Sequence, residues 1–254
     1  MNGPFLELNF YQDENEQDFL VALIDCLIEN GAKLSGKALI HRGPNINQQP
    51  FGFSSDEYKE EIEIASVDDL RAIKAVADSR LVQVPITNAS GLTRGAPELV
   101  TVTGISEWAA SRGDNHPVAI WASGDKLDFE TLQSHALATK AYRRFITIVE
   151  QLAPAYAAIT MECSLECPMD LRRDPKSYAF HDFYLSNQFF DDALISSVVD
   201  LCSDRFIKPL SNGVYISTSG LFMPKPPKRS SQKPDLSTQI GQLIASSERF
   251  RTYR

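Results

Sequence analysis

The sequence predicts an α+β fold: a mixed or mostly antiparallel sheet with helices packed on it. Three observations lead there. Strand-like and helix-like segments do not alternate as in a βαβ array, because strands also come in neighbouring pairs, "RLVQVPI" with "ELVTVTG" and "FIKPL" with "GVYISTS". One segment, "AYAAITMECSL", is almost continuously apolar and reads as a central strand. The chain is 254 residues long and 43% hydrophobic, enough to bury about three quarters of its unfolded surface without metals or disulfides. The two ends also rhyme (strand, acid-capped helix, strand, over 4–41 and over 178–218), which would make two pseudo-equivalent halves.

The elements follow in order. "PFLELNFY" alternates apolar and polar and reads as a strand. In "DENEQDFLVALIDCLIENGA", Phe19, Leu20, Leu23, Ile24, Leu27 and Ile28 recur at helical spacing, the first turn is acidic, and Gly31 suits the residue after the helix. "KALIH" is a short strand, "RGPNINQQPFGFSSD" a loop, and "EEIEI" an edge-type strand. "SVDDLRAIKAVADS" opens on a capping-type Ser66-x-x-Asp69 and continues as a helix. After the two paired strands, "ISEWAAS" has room for one or two helical turns. "HPVAIWAS" is a strand, and "DFETLQSHALATKAYRRFITIVEQLAP" is a long helix stopped at Pro154. "YAFHDFYLS", "DDALISSVVDLCS" and the "FIKPL"/"GVYISTS" pair complete a domain over 1–223, with a possible internal boundary near 104–115. From 224 to 254 a basic Pro-, Lys- and Ser-rich linker precedes an amphipathic helix carrying Leu236, Ile240, Leu243 and Ile244.

Charge narrows the class of partner. The net charge is -8, but the segment beyond Met223 carries +5, which leaves the body at -13. A body that acidic repels phosphate backbones, so nucleic acid is a disfavoured partner and a basic protein a favoured one. The first 31 residues hold seven acids and neither Lys nor Arg. The candidate partner-binding residues are therefore Asp13, Glu14, Glu16 and Asp18 at the first helix and Asp56, Glu57, Glu60, Glu61 and Glu63 at the third strand, although a solvated face has the same composition. The start "MNGPFLELNF" lacks a basic region and a long apolar stretch, and no apolar run is long enough to span a bilayer, so a cytoplasmic address is expected. Cys26, Cys163, Cys167 and Cys202 fit free thiols; the C-x3-C spacing matches neither common zinc sites nor thioredoxin-type motifs.

Nothing in the sequence spells out a catalytic or metal centre, and no cofactor is expected. His116, His135 and His181 lack partners at ligand spacing. Asp125, Asp128 and Glu130 cluster in "SGDKLDFE", where Asp128 also suits the cap of the following helix. Glu162 stands in an apolar strand, where a carboxylate is costly unless paired, with Arg172 or Arg173 as structural partners or a bound protein as a functional one. Phe180, Phe183, Tyr184, Phe189 and Phe190 are interleaved with Asp182, Asp191 and Asp192, which favours a core over a stacking platform for bases.

Between 154 and 222, "PAYAAITMECSLECPMDL", "FHDFYLSNQFF" and "NGVYISTSGLF" resemble immunity proteins of bacterial polymorphic toxin systems. The resemblance implies a non-enzymatic protein that neutralises a cognate toxin by binding it, and it draws attention to Glu162, Ser186 and Tyr215. The acidic body is compatible with a basic toxin. Two rivals stay open. One is an enzyme built around Glu162, His181 and the "SGDKLD" loop. The other is a phage-defence or assembly component in which the helix within 236–250 docks between copies of the chain.

Overall fold

The structure, a computed structural model, describes residues 5–13, 15–42, 58–92, 95–103, 115–124, 132–174, 180–218 and 236–251. Its strands are β1 (Phe5–Tyr11), β2 (Lys33–Leu34), β3 (Lys37–Arg42), β4 (Lys59–Glu63), β5 (Ser79–Thr87), β6 (Pro97–Val102), β7 (Val118–Ser123), β8 (Tyr156–Met161), β9 (Asp182–Ser186), β10 (Phe206–Leu210) and β11 (Gly213–Ser217). The helices are α1 (Glu16–Glu29), α2 (Val67–Lys74), α3 (Leu132–Leu152), α4 (Pro168–Arg173), α5 (Asp192–Leu201), α6 (Leu236–Ala245) and α7 (Glu248–Arg251).

All strands join one sheet in the order β10-β11-β9-β8-β1-β7-β6-β5-β3-β4, with β2 beside β5. Every pairing is antiparallel. The α+β class is thus observed, in its antiparallel form. β8 lies between β1 and β9, the central place its continuous apolar sequence implies.

Side-chain alternation assigns the two faces. Leu6, Leu8 and Phe10 of β1 enter a core with α1, α2 and α3 that runs from Ala38 and Ile40 on β3 to Tyr184 on β9 and Tyr215 on β11. The opposite face carries a second core only over the β8–β10 part of the sheet. There Phe183, Leu185, Val214 and Ile216 meet α4, α5 and α6. The rhyming segments consequently lie on different faces: α1 belongs to the first core and α5 to the second. Three strands separate β1 from β3, whereas β11 alone separates β9 from β10, so the rhyme is not a structural repeat.

Local chemistry explains the boundaries. Asn15 caps α1 by accepting from the Gln17 and Asp18 amides, and Gly31 follows the helix in the left-handed region. Ser66 and Asp69 form the reciprocal capping box of α2. Asp191 caps α5 through the Leu194 amide. At Gly213 a Cβ would collide with the Leu185 carbonyl oxygen, so glycine is what lets β11 lie against β9 there. Both sheet edges resist further pairing: β4 is charged, and β10 carries Lys208 and Pro209.

Two elements had no clear sequence signal. α4 begins with Pro168 at its first turn, after Cys167, and α7 is a single turn. The expected turns in "ISEWAAS", the expected Asp128 cap, the boundary near 104–115 and the basic linker fall outside the described residues, Asn115 excepted. The C-terminal amphipathic helix is α6, and its Leu236, Ile240 and Ile244 are buried within this same chain. All four cysteines are free thiols. Among the described residues no helix is long and apolar enough to cross a membrane.

Candidate functional site

The acidic edge of the sheet is formed by β4. Lys59, Glu60, Glu61 and Glu63 are exposed there, and Ile62 half-buries itself against the core. Its partner β3 places Lys37 opposite Glu63, Leu39 opposite Glu61, Ile40 opposite Glu60 and His41 opposite Lys59. Arg42 Nε lies 3.2 Å from Glu60 Oε2, while Lys37 Nζ stands 4.0 Å from both Glu61 and Glu63. One ammonium therefore serves two carboxylates, in water, at the outer limit of an ion pair. Such contacts contribute about 0–1 kcal/mol each and leave most of the acidic field available to a partner. Among the described residues, the outer backbone groups of β4 face no strand in the sheet.

At α1, the other expected acidic surface, Glu16 is withdrawn from solvent. Glu16 is buried rather than exposed: it accepts from Arg80 Nη2 through Oε1, and its Oε2 lies 3.0 Å from His116 Nδ1 and 2.7 Å from the donating His116 amide. Burial lowers the Arg80 pKa to about 10, which still leaves a cation at neutral pH. Gln17 completes the junction by accepting from the Leu81 amide at 2.7 Å and donating to the Leu81 carbonyl at 3.1 Å. Asp18 is exposed and paired with Lys74, and Asp25 is paired with Arg71 at 2.7 Å. Asp13 lies 3.9 Å from Arg249 of α7. Asp13, Glu16, Asp18 and Asp25 thus meet bases supplied by α2, β5 and the C-terminal tail. Glu14, Asp56 and Glu57 lie outside the described residues.

Glu162 does not interrupt a buried strand. β8 ends at Met161, and Glu162 is exposed just beyond it with a φ of 51°, its amide donating to the Phe5 carbonyl at 3.0 Å. The buried carboxylate of this region is Glu7 on β1. The segment after β8 folds back over it, so that Ser164 Oγ stands 3.3 Å from Glu7 Oε2 and 2.8 Å from Thr103 Oγ1. Asn9 donates to Thr160 Oγ1 at 2.8 Å alongside. Burial pushes the Glu7 pKa up, against hydrogen bonding from Ser164, Asn9 and Trp121. In "PFLELNFY" the alternation places Glu7 and Asn9 on one face, but only the return of 162–167 shows that this face is covered.

Of the residues singled out by resemblance, Tyr215 and Ser186 serve the fold. Tyr215 is buried and donates to Asp182 Oδ1 at 2.7 Å, while its ring packs on Tyr142 at 5.2 Å. Ser186 Oγ, also buried, accepts from the Gln188 amide at 3.1 Å. Phe180, Phe183, Tyr184, Phe189 and Phe190 are all core residues. His181 is exposed beside Thr218. The register of Ile159 with Asp182 brings His181 and Glu162 to the same end of the sheet; residues 125–130 lie outside the described residues. Among the described residues no group of three or more His, Cys, Asp or Glu is placed to hold a metal ion.

Sequence reasoning also passed over a basic cleft of about 550 Å³ beside α3, lined among the described residues by Lys140, Arg143, Arg144, Thr147, Asn88, Gly91 and Gly95. Its signal was legible: positions 140, 143, 144 and 147 share one helix face.

No family model matches the chain, and no curated protein matches it. Among solved structures it is similar to the Pseudomonas aeruginosa T6SS protein PA0821, with 12% sequence identity and a TM-score of 0.44, over 95% of this chain and 72% of that one. A likeness at that level assigns no function.

Proposed function

We propose that this chain is a non-enzymatic binding protein that neutralises a cognate bacterial toxin of basic surface, with the β3–β4 edge as part of the surface the toxin meets. The observation that carries the reading is the state of β4: Glu60, Glu61 and Glu63 are exposed, loosely neutralised, and set on a strand that is the edge of the sheet among the described residues. Complementary charge of this kind accelerates encounter and selects against acidic competitors. Glu162, exposed beyond β8, is a second acidic position open to a partner.

The test is affinity capture of the tagged chain from its own cells, followed by a Glu60→Lys/Glu61→Lys/Glu63→Lys variant. A stoichiometric partner with a basic domain is expected, and the variant is expected to bind it at least about tenfold more weakly, mainly through a slower on-rate at low salt. Recovery of no partner, or undiminished binding by the variant, would remove the β4 edge from the interface.

A further inference from the structure

We infer that the cleft that Asn88, Gly91 and Gly95 form with α3 is a binding site for a small molecule carrying a di- or triphosphate group. The site is separate from the acidic edge and does not depend on the toxin reading. Lys140, Arg143, Arg144 and Thr147 rise from α3 at i, i+3, i+4 and i+7, so all four face one way. The same helix buries Ala141, Phe145, Ile148 and Val149 in the core, which fixes the direction of the basic face.

The charge there is not spent. Several cations elsewhere in the described residues have partners: Lys37, Arg42, Arg71, Lys74 and Arg80 with carboxylates, and Lys208 over the Tyr142 ring. Lys140 and Arg143 are exposed at the cleft and have no acid partner among the described residues. Arg144 is half-buried and is held by two carbonyls, Asn30 O at 3.0 Å and Asn88 O at 3.4 Å, which orients its guanidinium and leaves further N–H donors available. The nearby carboxylate, Glu98, is buried and committed elsewhere: Oε2 accepts from the Ser90 amide at 2.5 Å and Oε1 from the Ser90 hydroxyl at 2.6 Å. It therefore shapes the loop, and no carboxylate lines the cleft among the described residues.

The lining also selects the ligand class. Two guanidiniums match the oxygens of phosphates in bidentate fashion, and an ammonium adds a point charge. The Thr147 hydroxyl donates to the Arg143 carbonyl and keeps lone pairs only, so the binding donors are the three cations and the Asn88 amide. Gly91 and Gly95, both at positive φ, line the cleft without a side chain of their own. Among the described residues no aromatic ring or large apolar side chain lines the cleft, so a base or an acyl chain finds no counterpart. Three cations in a cleft without acids suit two or three adjacent phosphates better than one.

The experiment is calorimetric titration of the full chain with sodium pyrophosphate, ATP and citrate at matched ionic strength. Pyrophosphate and ATP are expected to bind saturably at one site with similar affinity, and citrate at least about tenfold more weakly, since guanidinium forks favour phosphate geometry. Lys140→Ala/Arg143→Ala is expected to weaken pyrophosphate at least about tenfold, with partial recovery in Arg143→Lys. A Lys37→Ala/Lys59→Ala variant changes net charge equally and is expected to stay within about twofold. Arg144 is left intact because it anchors two loop carbonyls, and circular dichroism confirms the fold of each variant. Absence of saturable binding up to about 10 mM pyrophosphate, citrate binding as well as pyrophosphate, or equal losses in the two double variants would overturn the assignment.

Discussion

The sheet has two regions that bury themselves differently. From β4 to β1, helices α1, α2 and α3 cover one face, and β3 begins by alternating, with Lys37 exposed, Ala38 buried, Leu39 half-buried and Ile40 buried. From β8 to β10, α3 covers one face while α4, α5 and α6 cover the other. There "DFYLS" is buried at every position, polar ends included. The difference teaches how polar groups survive inside. In the one-sided region each buried polar group has its own local partner: Glu16 has Arg80, Glu7 has Ser164, Asn9 has Thr160 and Glu98 has Ser90. In the two-sided region no outward face exists, so Asp182, Ser186 and Ser217 are enclosed, Asp182 with the Tyr215 hydroxyl and Ser186 with a backbone amide.

The largest effect should come from the ion pair that joins α1 to β5. Arg80→Ala leaves the buried Glu16 carboxylate short of its cation and is expected to cost about 3–5 kcal/mol in denaturant unfolding. A loss under about 1 kcal/mol would mean that water reaches Glu16 and that the one-sided region is looser than its burial indicates.

Matched truncations sharpen the contrast. Ile216→Ala, inside the second core, is expected to cost about 2–5 kcal/mol. Leu39→Ala, half-buried on the outward side of β3, is expected to cost about 1 kcal/mol. Equal losses would show that the outward face is packed as tightly as the inner one.

The smallest effect concerns pH. Burial, then the charges of Asp170 and Asp174, push the Glu166 pKa up to about 6 from an ordinary 4.5. A carboxyl raised on folding contributes stability that is fully present below its unfolded pKa and is lost as pH rises through the folded one. Glu166→Gln is therefore expected to raise the melting temperature at about pH 7.5 and to leave it unchanged near pH 4. A gain independent of pH would assign the effect to packing instead.

Much of the fold was legible because it rests on local signals. Alternation located β1, β3 and β4, helical spacing located α1, α3 and α6, and Ser66 with Asp69 marked the start of α2. The continuous run in β8 told its central place, since only a strand covered on both faces can be apolar throughout. The candidate site was legible in part. Glu60, Glu61 and Glu63 are exposed as expected, because an edge strand has one neighbour and its charges reach water. Glu16 and Glu162 misled for opposite reasons: one acid in a polar run is enclosed by Arg80 and His116, and one acid after an apolar run escapes at a strand end.

By itself the sequence determined which segments are helix and which are strand, the antiparallel tendency and the acidic balance. These follow from the spacing of side chains and from their charge, both of which are properties of neighbours along the chain. The tertiary structure alone decided which face each helix covers, which acids meet which bases, that the last helix folds back onto its own chain, and that Glu7 rather than Glu162 is enclosed. Those depend on contacts between residues far apart, such as Glu16 with Arg80 and Glu7 with Ser164. Burial reverses the meaning of a charge, and burial is set by the partner across the gap.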